Sequence, residues 1–246
     1  MNSSMILHTV LGLLLLAIPA GALYLLDRQS LRSFSVAVTR AVVQLLVLCL
    51  VVWALIKVNS PWLLLAWLLV MATLSGWIVL KRCRQSDHKL MIPVVTGLFL
   101  GTLLVGLWLL AVVLPVRAFD ARWFVPVTAL LLGHSTTMMI RGLNTYVTAL
   151  QADEQQYEFL RGNGLSHLKA LLPFMRRSLL AVISPTTANL SVLGLTSMPL
   201  LLIGILLGGF SPINAFVLML HMTVGAVAAS ILSLVVTLFI TDLYKA

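Results

Sequence analysis

Two histidines in lipid-soluble surroundings are the side chains of this chain most able to do chemistry. His134 stands in GHSTTMM, residues 133–139, and His221 in LMLHMT, residues 218–223, within 246 residues that are 61% apolar. His134 and Met138 are spaced i,i+4, so on a helix they face the same way. Neutral imidazole and thioether sulfur ligate soft or borderline metals, and Met139, Met198, Met219 and Met222 lie near enough in sequence to extend such a route. Hydroxyls and an amide accompany them, in the stripes Thr186, Asn189, Thr196 and Thr187, Ser191, Gly194, Met198. The pattern predicts a substrate route along His134, Ser135, Thr136, Met138, Thr186, Asn189, Met198 and His221. His134, Met138 and His221 are its candidate metal ligands. A plainer reading stays open: Ser and Thr hydroxyls can bond back to their own helix carbonyls. His134 would then be a hydrogen-bonding residue between helices, and the methionines would be packing.

His134 beside Ser135 also raises the question of a hydrolase. Neighbouring helical residues point about 100° apart, so neither can serve the other as base or nucleophile. The sequence has no G-x-S-x-G elbow and no H-E-x-x-H pair, and no acidic residue falls inside a predicted span. An intramembrane enzyme is therefore the rival class, and a non-enzymatic role is predicted. G-x-x-x-x-G-K-[ST] is absent as well. If ATP drives the chain, ATP and Mg are bound by a partner subunit, and no cofactor is expected in this one.

Composition determines the elements that must position these residues. Only 9% of residues are charged, against about 25% in soluble domains, so the chain is an integral membrane protein of the lipid bilayer. Its net charge of +9 reflects Lys and Arg at span ends rather than a nucleic-acid partner. Cys49 falls in an apolar run and Cys83 in a basic loop, with no CxxC pair and no disulfide framework. IPAGA, residues 18–22, faintly resembles a cleavage site, but the run is read as a retained span because no basic residue precedes it.

A crossing takes roughly 20 apolar residues, which predicts an all-α bundle of about seven spans. These are 5–26, 36–57, 62–80, 91–115, 123–141, 178–207 and 213–240. The sixth is over-long and holds Pro185 and Pro199, so it is expected to be kinked or partly unwound. All but Lys57, Arg117 and Arg122 of the 16 Lys and Arg lie in segments 27–35, 81–90 and 142–177, the span ends beside them, or the tail. That asymmetry places the N-terminus outside and the C-terminus in the cytoplasm. Arg40 and Gln44 share a helix face near the cytoplasmic end of the second span. Arg40 can snorkel, whereas Gln44 lies deeper and calls for a polar partner on a neighbouring span.

The long connection 142–177 has its own pattern. ALQADEQQYEFL, 149–160, is helix-compatible, Arg161-Gly162-Asn163-Gly164 reads as a turn, and Ser166 can N-cap a short helix that Pro173 ends. A segment so long and rich in both charge signs predicts a docking surface, with Asp153, Glu154, Glu158, Arg161, Gly164 and Lys169 as its coupling residues.

From about Arg40 to His221 the chain resembles the FetB-like (YbbM-like) permease subunits of ABC transporters linked to iron export. The resemblance is carried by Arg40-Ala41-x-x-Gln44, Glu158-x5-Gly164, Pro185, Gly194-Leu195-x-Ser197-x-Pro199 and Ser211-Pro212. It implies a single transmembrane permease domain over 1–246, paired as a homodimer in a cell inner or plasma membrane. Two copies of a separate cytoplasmic ABC ATPase would drive it, with 142–177 as coupling element and 81–90 as a second contact. Arg40, Gln44, Pro185, Gly194, Pro199 and Pro212 would be its structural and gating positions. It also implies a metal ion as cargo, iron first. The chain departs from the pattern at Gly133-His134, where the family has Gly-Asn, and at Leu200-Leu201-Leu202, where it has Gly-Met-Met. Pro185–Leu190 moreover lacks the family's charged residues. Without carboxylates a hard cation is poorly served, so a small organic or lipid-like solute is the alternative cargo.

Overall fold

The computed structural model describes residues 11, 12, 14–83, 90–114, 118–194 and 200–245. Met198 and Pro199, with Thr196 and Ser197, and Arg84 and Lys89 of the 81–90 segment, lie outside the described residues. The chain divides into two compact units, one up to Lys57 and one from Val58 onward.

The first unit holds helix α1, Ala17–Leu26, and nearly all of α2, Arg28–Val58. Asp27 separates them with an extended backbone, its N–H donating to Leu23 O at 2.8 Å. Its carboxylate then accepts the Gln29 and Ser30 N–H groups at 3.0 Å and the Ser30 hydroxyl at 2.6 Å, capping α2. The Ser30 hydroxyl first, and the two amides after it, hold the Asp27 carboxyl below the usual aspartate range. Leu55 is the buried residue of α2, while Leu45, Leu46 and Trp53 are exposed, as a lipid-facing helix requires. Arg40 and Gln44 are both exposed. The partner predicted for Gln44 is not found among the described residues of its own unit.

The second unit runs α3 (Pro61–Arg82), α4 (Met91–Trp108), α5 (Ala121–Ala152), α6 (Glu154–Gly162), α7 (His167–Ser191), α8 (Leu200–Leu207) and α9 (Pro212–Lys245). A π-helical turn, Leu109–Val113, continues α4. Among the described residues five helices are long and apolar enough to cross a membrane: Arg28–Val58, Pro61–Arg82, Met91–Val113, Ala121–Ala152 and Pro212–Asp242. The protein is therefore an all-helical, polytopic membrane bundle.

Its centre is α9 packed along α4, with α5 beside both, α3 against α4 and α5, and α7 on α5. Small residues let α4 and α9 approach. A Cβ added at Gly97 would strike Thr237 Oγ1 and Ser233 O, and one at Gly101 would strike Ser233 Oγ and its backbone nitrogen. Gly97-x-x-x-Gly101 is thus a small-residue seam of the kind that lipid-embedded helices use, where apolar burial supplies no drive between helices. Ser178 adds a buried hydrogen bond, donating to Gly142 O at 2.7 Å and tying α7 to α5.

Asn59, just before α3, has a positive φ of 45°. Its side-chain oxygen accepts the Ala121 N–H at 2.9 Å, at the first turn of α5. Asn59→Ala should cost about 1–2 kcal/mol, roughly half from the left-handed backbone and half from the lost cap. Asn59→Gly should recover the backbone share in detergent thermal melts.

Several expectations are corrected here. The segment 142–177 is mostly not a loop. α5 runs on to Ala152, because Gly142, Leu143 and Tyr146 keep a buried face past the predicted end at 141. Pro173 does not end a helix: α7 continues through it and through Pro185 to Ser191. Burial of Ala170, Leu171, Phe174 and Met175 outweighs the roughly 3 kcal/mol that an internal proline costs. Ser166 occupies the N-cap position of α7, but its side chain makes no capping bond. The predicted turn begins later, since α6 includes Gly162, and Gly164 with φ +83° makes the reversal. The sixth predicted span is interrupted as expected, though beyond Pro185: its first helix ends at Ser191, the chain turns through Val192–Gly194, with Gly194 at φ +83°, and α8 begins at Leu200. Pro212 is the first residue of α9, where a missing N–H costs nothing. Cys83 is not a loop thiol but a buried one, lying 3.5 Å from Ile140 O.

Candidate functional site

α5, α7 and α9 converge on a cavity of about 220 Å³. α5 contributes Leu130, His134 and Met138, spaced by one turn each, and α7 contributes Thr186, Asn189, Leu190 and Leu193. Met222, Thr223, Ala226 and Val227 come from α9, and Leu201 from α8. No Asp, Glu, Lys or Arg is among the lining residues. The polar groups brought together from two helices, His134, Thr186 and Asn189, were each named from sequence spacing.

Most hydroxyls near this cavity are satisfied within their own helices. Thr136 donates to Leu132 O at 2.7 Å, Thr137 to Gly133 O at 3.2 Å, Thr187 to Ile183 O at 2.9 Å and Thr223 to Met219 O at 2.8 Å. Thr186 donates to Val182 O at 2.7 Å and also lies 3.8 Å from the Met138 sulfur. Among the buried polar atoms of the described residues without a hydrogen-bond partner are three from residues named above: His134 Nε2, Ser135 Oγ and His221 Nδ1. Of these, only His134 belongs to a residue lining the cavity. Ser135 is fully buried on another face of α5, and neither Ser135 nor Thr136 lines this cavity. His221 does not line it either. One residue advances a helix by about 100°, which gives the cavity to Met222 and Thr223 instead. Among the described residues no group of three or more His, Cys, Asp or Glu is placed to hold a metal. A metal here would have to rest on His134 with the thioethers of Met138 and Met222.

The coupling residues predicted from the charge pattern cluster around α6. Glu158, Gly164 and Lys169 are exposed. Asp153 pairs with Arg177 on α7, and Arg161 donates to Leu165 O at 3.3 Å, closing the α6–α7 corner. Sequence reasoning passed over Phe159, which is 70% exposed on α6. It also passed over a polar chain behind α6. Tyr157 OH lies 2.7 Å from His167 Nδ1, and His167 Nε2 lies 3.1 Å from Asp242 Oδ1, close enough for an ion pair but outside hydrogen-bond geometry. These three border a second cavity of about 340 Å³ with Tyr146, Leu150, Gln151, Glu154, Leu171 and Thr241. The available signal was Asp242 itself, a carboxylate that continues the last apolar helix.

A bundle of apolar helices around a largely uncharged cavity, with a charged helical corner at one end, defines a multi-pass membrane protein. The family model described as "Uncharacterised protein family (UPF0014)" matches residues 6–244, and the chain belongs to that family. The UPF0014 membrane protein STAR2 of Oryza sativa subsp. japonica is 28% identical, over 80% of this chain and 70% of that one. Protein ALUMINUM SENSITIVE 3 of Arabidopsis thaliana is 27% identical over 70% of this chain and 63% of its own length. The UPF0014 membrane protein slr1647 of Synechocystis sp. is 24% identical over 72% and 69%. No solved structure matches the chain.

Proposed function

We propose that the chain is the permease subunit of an ABC transporter, crossing the membrane seven times with its N-terminus outside. It works as a homodimer with two copies of a cytoplasmic ATPase that binds ATP and Mg. The cavity of α5, α7 and α9 is a segment of the substrate route, and α6 is the docking helix. The observation that carries the reading is Phe159. A phenyl ring 70% exposed among Glu154, Glu158 and Arg161 is an anchor suited to a pocket on a partner. The resemblance to FetB-like permeases favours a metal ion, iron first, as cargo. The uncharged lining favours the second reading, a small organic or lipid-like solute, because a hard cation would find no carboxylate there.

In proteoliposomes holding the chain with its co-purifying ATPase, Phe159→Ala should weaken docking about 30-fold, the scale of a buried aromatic anchor. Glu158→Ala and Gly164→Ala should lower permease-stimulated ATP hydrolysis without unfolding the bundle. Unchanged stimulation in all three, or no ATPase bound to the parent chain, rejects the docking reading.

A further inference from the structure

We infer that Tyr157, His167 and Asp242 form the link through which the docking helix positions α9, and with it one wall of the cavity. The inference rests on the permease reading and adds the residues that convey motion. Asp242 is 5% exposed, and a carboxylate so deeply buried needs a donor or a positive charge. The neighbouring helices leave few candidates. Tyr146 and Gln151 stand on α5, Glu154 and Tyr157 on α6 and His167 on α7, while the Thr241 hydroxyl is already committed to Thr237 O at 2.8 Å. Arg177 is held by Asp153. His167 is the one basic residue bordering the second cavity. If the Tyr157 hydroxyl donates to Nδ1, the ring carries its proton on Nε2, toward the carboxylate.

The chain of contacts therefore runs from α6 through the first residue of α7 to the last turns of α9. α9 is unbroken from Met222 and Thr223, which line the substrate cavity, to Asp242. A displacement of α6 that carries His167 with it cannot leave Asp242 behind without stranding a buried carboxylate. α9 must follow, and its cavity face moves with it. Tyr157, His167 and Asp242 are thus positioning residues. Phe159 is the exposed contact, and Tyr157, two residues earlier, faces inward.

The test uses the full transporter complex in proteoliposomes, reading bound ATPase, permease-stimulated ATP hydrolysis and thermal stability. Tyr157→Phe and Asp242→Asn should each lower stimulation about tenfold, within the usual range of coupling between linked sites, with the ATPase still bound at parental stoichiometry. The double variant should be no worse than the more severe single, because one cut already breaks the chain. Tyr157→Phe removes a single hydroxyl, which keeps the test valid should Asp242→Asn fail to fold. Full stimulation in Tyr157→Phe overturns the link, and so do losses that multiply in the double variant. Failure of the parent chain to stimulate any ATPase overturns the permease reading and the link together, which distinguishes the two failures.

Discussion

Gly101→Leu is expected to leave no folded protein in detergent, and Gly101→Ala alone should cost about 1–3 kcal/mol, the usual range for overpacking. A Cβ at Gly101 would lie 2.8 Å from Ser233 N and 2.9 Å from its Cα. These are backbone atoms of a helix that is itself packed along its length, so no rotamer change relieves them. A leucine there would have to separate α4 from α9, the most extensive helix pair in the bundle. Gly133→Ala on α5 is the control, since a Cβ there meets nothing within 4 Å. It should be neutral or stabilise by up to about 1 kcal/mol through helix propensity. Thermal melts and gel-filtration profiles of the three variants check this. Similar behaviour of Gly101→Ala and Gly133→Ala would show that the α4–α9 seam is looser than described.

His134→Leu should produce the opposite pair of effects, a protein at least as stable as the parent that transports at less than a tenth of its rate. Nε2 of His134 is buried without a hydrogen-bond partner among the described residues. Removing an unsatisfied polar group relieves a desolvation cost of about 1–3 kcal/mol, and leucine roughly fills the space. A histidine that served packing would show no transport loss on this change. Flux is measured with the cargo that accumulates in a deletion strain. His221→Leu is the paired measurement. His221 is not among the residues that line the cavity with His134, so transport should persist.

Much of this was legible in the residues. The apolar runs of α2, α3, α4 and α9 announce themselves by length and by the near absence of charge, which lipid enforces. His134, Met138, Thr186 and Asn189 could be grouped because helical spacing fixes which side chains share a face. The extension of α5 was masked by Arg141, Asn144 and Gln151, which look like loop chemistry. The pattern Gly142, Leu143, Tyr146 carried the contrary signal. Pro173 misled because a single residue's cost was weighed without the burial of its neighbours. His221 is grouped with His134 by depth in its span, but depth says nothing about azimuth, which gives the cavity to Met222 and Thr223. The Tyr157–His167–Asp242 chain was out of reach, since no spacing rule relates Asp242 on the last helix to two residues so much earlier in the sequence.

α5 carries His134 near its middle and meets the docking corner at Ala152, with no break between them. The segment therefore behaves as a shaft with a fixed angular phase. Inserting one residue between His134 and Ala152 would turn one end against the other by about 100° and lengthen the shaft by about 1.5 Å. The smallest change that nearly restores the phase is about seven residues, close to two full turns, and it adds roughly 10 Å. A chain of this design can alter the chemistry at either end freely, but it can scarcely alter the count of residues between them.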